Sequence, residues 1–204
     1  MHLEDINSYE ILLASRSPRR SALVQELGIP FRVVDTGHSD EDYPDHLTGG
    51  KIARFLAEHK SDAYLETLNP RQILLTADTI VWHEGKELGK PGSREEAIAM
   101  IQSLSGGTHQ VFTGVCLRSE RGRQAFYAVT DVTFSTLEMK EIEGYVDRFQ
   151  PYDKAGAYDI QEWIGHIAVE RIVGSYFNVM GLPVQKVYSE LKSFIATNNQ
   201  DSII

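Results

Sequence analysis

Six residues near the N-terminus carry a strong chemical signal. Ser15-Arg16-Ser17-Pro18-Arg19-Arg20 follows the apolar run Glu10-Ile11-Leu12-Leu13-Ala14 and precedes Leu23, Val24 and Leu27 at helical spacing. Ser17 therefore stands as N-cap and Pro18 as the first helical residue. A helix start presents unpaired N–H groups and the positive end of the dipole. Two serine hydroxyls and the forks of Arg19 and Arg20 at the same spot turn it into an anion site suited to phosphate. Between Ile11 and Gln25 there are three arginines and no acid, a local charge of +3. An ordinary capped helix with solvated arginines fits the same residues.

Asp78 follows the apolar stretch Leu74-Leu75-Thr76-Ala77. A carboxylate where a buried strand emerges sits where α/β proteins bind ligands, and it can hold a cation or activate a water. A turn-initiating aspartate bonded to its own backbone is the plainer reading. Glu41 lies in the acidic run Asp40-Glu41-Asp42, Lys60 ends a helical pattern, and Lys90 sits in the turn Gly89-Lys90-Pro91. None of these three points to chemistry by itself. The stretch from Asp153 to Gln161 is rich in small residues that allow close backbone approach. The Gln161 amide offers one donor and one acceptor side, which suits a nucleobase edge. The histidines form no HxxxH or HExxH pair, and Cys116 reads as a buried small hydrophobe. Metal ligation then rests on oxygen, which favours magnesium or manganese over structural zinc.

These residues need elements to position them. The pattern predicts a strand at 10–14, a helix closed by Gly28-Ile29-Pro30, a strand at 31–34 and an amphipathic helix over 51–63. A strand at 72–77 runs on through Asp78-Thr79 to Trp82. Ser93-Arg94-Glu95-Glu96 reads as a capping box for a helix that stops at Gly106-Gly107. Segments 108–118 and 124–136 flank Glu120-Arg121-Gly122-Arg123 as a long antiparallel hairpin. Helices follow at 139–149 and 183–195, and a polar tail from 197 is expected to fray. The class is mixed α/β, in a single domain over 1–204 with its core at 9–196.

The chain has 204 residues, with 20 basic against 29 acidic side chains and a net charge of −9. That length buries about 70% of the unfolded surface without help from disulfides or metal. One cysteine excludes a disulfide framework and a multi-thiolate zinc site, and favours a reducing compartment. The N-terminus has no basic flank or apolar core of a signal peptide, and no apolar run approaches the ~18 residues of a membrane span. The negative balance argues against nonspecific nucleic-acid binding, so an anionic ligand must be held by a local feature.

Together the motifs resemble the Maf family of nucleotide pyrophosphatases, once described as septum-formation inhibitors. Ala14-Ser15-Arg16-Ser17-Pro18-Arg19-Arg20 is similar to the family's opening motif, Ala77-Asp78-Thr79 to its catalytic strand end, and Gly89-Lys90-Pro91 to its lysine turn. Ser105-Gly106-Gly107-Thr108-His109-Gln110-Val111 also fits, as do Asp153-Lys154-Ala155-Gly156-Ala157-Tyr158 with Ile160-Gln161, and Gly174-Ser175-Tyr176 leading to Gly181-Leu182-Pro183. The resemblance covers roughly residues 10 to 195 in the family's order.

The resemblance implies an elongated mixed-sheet fold, similar to ITP pyrophosphatase, with two lobes around a central cleft. It implies a cytoplasmic homodimer that uses a divalent cation, Mg2+ or Mn2+, to split a nucleoside triphosphate into monophosphate and pyrophosphate. On this reading Asp78 is the general base or metal-assisted water activator, and Glu41 joins it as a metal carboxylate. Ser15, Arg19, Arg20, Lys60 and Lys90 bind the triphosphate. Arg19, Thr79 and Gln161 match the branch that prefers dTTP and UTP over 7-methyl-GTP. A carboxamide satisfies the imide N–H and a carbonyl of uracil or thymine together, and rejects bases lacking that pair. Asp159 departs from the pattern, which has a small residue there, usually glycine. Two other readings stay open from the sequence: a non-catalytic nucleotide-binding regulator of cell division, and an enzyme that clears damaged purine triphosphates.

Overall fold

The structure, a computed structural model, describes residues 6–35 and 42–200. Glu41 lies outside the described residues. In chain order the elements are β1 (Glu10–Ala14), α1 (Pro18–Glu26), β2 (Phe31–Val33), α2 (Gly50–Asp62), β3 (Gln72–His83), β4 (Lys86–Leu88) and α3 (Arg94–Leu104). There follow β5 (Thr108–Arg118), β6 (Arg123–Phe134), α4 (Met139–Phe149), a 3-10 turn (Ala155–Ala157), α5 (Trp163–Ala168), β7 (Val169–Val173), α6 (Tyr176–Val179) and α7 (Val184–Gln200).

The seven strands form one mixed sheet in the order β2-β1-β3-β5-β6-β7, with β4 paired to β3 off that path. β1 runs parallel to both β2 and β3, and β7 runs antiparallel to β6. Four residues join β5 to β6, closed by the Ser119 N–H on the Gly122 carbonyl at 2.9 Å. A connection that short makes the pair an antiparallel hairpin, as the richness of both segments in Val, Thr, Phe and Tyr predicts.

The described residues divide into two compact units. The first draws on the described residues within 6–78, Thr113–Ala128 and 181–200. Here Leu12, Ala14, Leu74, Tyr64 and Leu68 pack together. A β-carbon at Gly114 on β5 would fall 2.0 Å from the Ala53 carbonyl oxygen of α2, so only glycine lets this helix lie so close to the sheet. The second unit is Thr79–Phe112 with Val129–Met180. Its core joins Ile101 and Leu104 of α3, Phe134 of β6, Ile142 and Tyr145 of α4 and Ile164 of α5.

The strand through Asp78 is continuous from Gln72 to His83, as the sequence pattern predicts, so Asp78 lies inside β3. Two expectations change. The last helix runs to Gln200 instead of stopping at Ile195. Its polar end finds partners: Asn198 donates its side-chain amide to the Ser119 hydroxyl at 3.2 Å and accepts from Arg121 on its carbonyl at 2.8 Å. Finally, α5, β7 and α6 fill a stretch for which the sequence pattern predicts no element. Their short lengths, and the open exposure of Val173 on β7, leave little periodicity to read.

Candidate active site

The parallel partner β1 ends at Ala14, opposite Thr76, two residues before Asp78 reaches the same level on β3. The chain turns off there into Ser15–Arg20 and the start of α1. The Ser15 hydroxyl accepts the Ser17 N–H at 3.2 Å, and the Ser17 hydroxyl accepts the Arg20 N–H at 3.5 Å, capping α1 as its sequence predicts. Pro18 occupies the first turn, where its missing N–H costs nothing.

The three arginines separate in role. Arg16 faces out and grips Asp35 with one guanidinium nitrogen at 3.0 Å from both carboxylate oxygens. That acid lies beyond the window that seemed uniformly basic. Arg20 donates Nε to the Gly181 carbonyl at 2.8 Å. Burial of its head pushes the guanidinium down from its ordinary value; Asp78 pulls it back and Arg19 adds to the lowering. Arg19, Arg20 and Asp78 thus share one electrostatic neighbourhood.

Asp78 is 9% exposed. Lys60, in the last turn of α2, donates Nζ to Asp78 Oδ2 at 2.8 Å, and the two side chains are only 19% and 13% exposed. The register of helix against strand is fixed one turn earlier, where the fully buried Thr76 hydroxyl donates to the Ala57 carbonyl at 2.6 Å. The sequence reading places both Lys60 and Asp78 in the site, but not the bond between them. Thr76 is missed; its one signal is a hydroxyl in the middle of an apolar strand.

In the second unit, Thr79 is half-buried on β3 and Lys90 stands exposed on its turn. The Gly89 carbonyl of that turn accepts the Gly156 N–H at 3.0 Å, which ties the lysine turn to the late loop. Gly156 has φ +67°, and a β-carbon there would meet the Val81 side chain at 3.0–3.1 Å. Ala157 follows at φ +60°. Next, the Tyr158 hydroxyl pairs with His109 Nε2 at 2.8 Å in the core. Burial, with His83 beside it, lowers the His109 imidazole to about 4, so it is neutral near pH 7. Gln161 emerges exposed from this anchored loop.

In the first unit the structure gathers Ser15, Arg19, Arg20, Lys60 and Asp78; in the second it joins the Lys90 turn to the loop bearing Gln161. The first group can bind an anion and orient a nucleophile beside it, and the second presents a cation and an amide. Among the described residues, no three His, Cys, Asp or Glu side chains form a metal-holding group. Nor is any described helix long and apolar enough to cross a membrane.

The sequence pattern of the family described as Maf-like protein matches residues 10–194. A relative from Bacteroides fragilis named dTTP/UTP pyrophosphatase is 55% identical over 190 residues, covering 93% of this chain and 98% of its own. One of the same name from Bacteroides thetaiotaomicron is 51% identical with the same coverage. Among solved structures, a HAM1 protein from Coxiella burnetii aligns at 16% identity with a TM-score of 0.47, covering 91% of this chain and 99% of that one.

Proposed function

This chain belongs to the Maf-like protein family, and on that premise we propose that it is a nucleoside triphosphate pyrophosphatase that hydrolyses dTTP and UTP between the α and β phosphates. The observation that carries the site assignment is the buried Lys60–Asp78 pair beside Arg20 and the α1 start. A carboxylate facing a polyanion is repelled unless cations offset it, and these are such cations.

In the proposed reaction a water oriented by Asp78 attacks the α-phosphorus in line. The water gives its proton to the Asp78 carboxylate, the bridging P–O bond to the β-phosphate breaks, and pyrophosphate leaves. Ser15 and the α1 N–H groups, with Arg19, Arg20, Lys60 and Lys90, hold phosphate oxygens. Thr79, next to Asp78 on β3, contacts substrate by its match to the family's dTTP/UTP branch, and the Gln161 amide reads the imide edge of uracil or thymine. The protein donor set is carboxylate oxygen, with neither thiolate nor imidazole. It fits a hard cation such as Mg2+ or Mn2+ that enters with the triphosphate and takes few ligands from protein. Asp78, with Glu41, would hold that cation, which when bound offsets charge on the phosphate oxygens.

The proposal extends to a cytoplasmic homodimer, one functional domain over 9–196, and removal of unwanted or modified pyrimidine triphosphates. The test is a panel of dTTP, UTP, CTP, 7-methyl-GTP and ITP with magnesium. We expect dTTP and UTP to be consumed fastest, each releasing pyrophosphate. Release of single phosphate, or no consumption of any triphosphate, would overturn the reading.

A further inference from the structure

Gln161 is exposed, yet the backbone on both sides of it is held. On one side Asp159 collects two N–H groups: its Oδ1 accepts from Gln161 at 3.0 Å and its carbonyl from Glu162 at 3.0 Å. On the other, the Glu162 carboxylate receives the Tyr145 hydroxyl at 2.5 Å and Lys154 Nζ at 3.4 Å, the Lys154 side chain being only 11% exposed. Tyr145 is fully buried in α4. The Gln161 side chain therefore leaves from a backbone with little freedom while its amide faces solvent, which is how a group organised before ligand arrives is built.

We propose that Asp159 is a positioning residue for Gln161, and that its side-chain bond to the Gln161 N–H sharpens selection of bases with an imide edge. The inference rests on the reading of Gln161 as the base-recognising amide. A Gln161 whose backbone N–H has lost this acceptor must be ordered by the substrate, and that cost falls on binding. It falls on every base that Gln161 would contact, and most on those that use both of its polar groups.

The experiment compares Asp159→Ala, Asp159→Asn and Gln161→Ala, reading kcat and KM for dTTP and CTP together with the melting temperature. Asp159→Ala should raise the KM for dTTP about three- to tenfold, narrow the dTTP-to-CTP preference in kcat/KM, and leave kcat within about twofold. Asp159→Asn retains an acceptor oxygen and should restore both KM and preference. If Asn fails to restore them, the bond is not the cause and the proposal falls. It falls too if Asp159→Ala matches the wild type while Gln161→Ala loses the preference, a result that leaves the reading of Gln161 standing. If Gln161→Ala keeps the preference, that reading fails and takes the proposal with it. A matched drop in kcat and melting temperature, with the preference intact, would assign Asp159 a purely structural role.

Discussion

Lys60 and Asp78 are each other's counter-ion, 2.8 Å apart with both side chains largely buried. The two ends of this pair are not equivalent. A lysine deprived of its acid can extend its long stem toward water, whereas an aspartate cannot leave its strand. Lys60→Met should therefore destabilise the fold more than Asp78→Asn, by about 1–3 kcal/mol, because it takes from a buried carboxylate the cation bonded to it. Catalytically the order reverses: Asp78→Asn should fold and bind but lose turnover by on the order of 10² or more. Urea unfolding and steady-state rates on both variants check the pair. Near-normal turnover in Asp78→Asn would mean that the base lies elsewhere.

His109 makes stability depend on pH. Its folded value of about 4 lies below the ordinary 6.5, so between those values the unfolded chain binds the extra proton. The contribution is complete above pH 6.5 and is lost as pH falls toward 4, with a slope of up to about 1.4 kcal/mol per pH unit. His109→Gln keeps a partner for the Tyr158 hydroxyl and removes the titration. Urea melts from pH 4.5 to 7 should show a shallower slope in this variant; an unchanged slope would place the proton uptake on another group.

Gly156 has φ +67°, which L side chains rarely adopt, and an added β-carbon would lie 3.0–3.1 Å from the Val81 side chain, tighter than ordinary contact. Gly156→Ala should destabilise by about 1–3 kcal/mol. It should also raise KM, because the Gly156 N–H holds the turn that carries Lys90. A variant that melts normally and binds substrate normally would show that the turn is fixed by other contacts.

Local rules made much of this legible. Ser17 and Pro18 announce the start of α1, seven of the twelve residues of β3 are apolar, and richness in Val, Thr, Phe and Tyr marks the β5–β6 hairpin. Ser93 caps α3 as predicted, through the Glu96 N–H at 3.2 Å. The return arm of the box, however, goes from the Glu96 carboxylate to the Gly92 N–H at 2.7 Å. The candidate residues stand out because charged and hydroxyl side chains interrupt apolar strands and turns. What stayed hidden is pairing over distance: Arg16 with Asp35, Lys60 with Asp78, Arg20 with the Gly181 carbonyl. No periodicity encodes these, since each depends on how the sheet brings separate segments together. The Asp159 side chain, which departs from the family pattern, accepts the Gln161 N–H.

The clasp between Arg20 and Gly181 joins residues 161 positions apart. During synthesis, the arginine emerges from the ribosome long before the carbonyl that holds it exists. A chain released before residue 181 carries Arg20 without this contact, so the clasp forms only after that residue has been made.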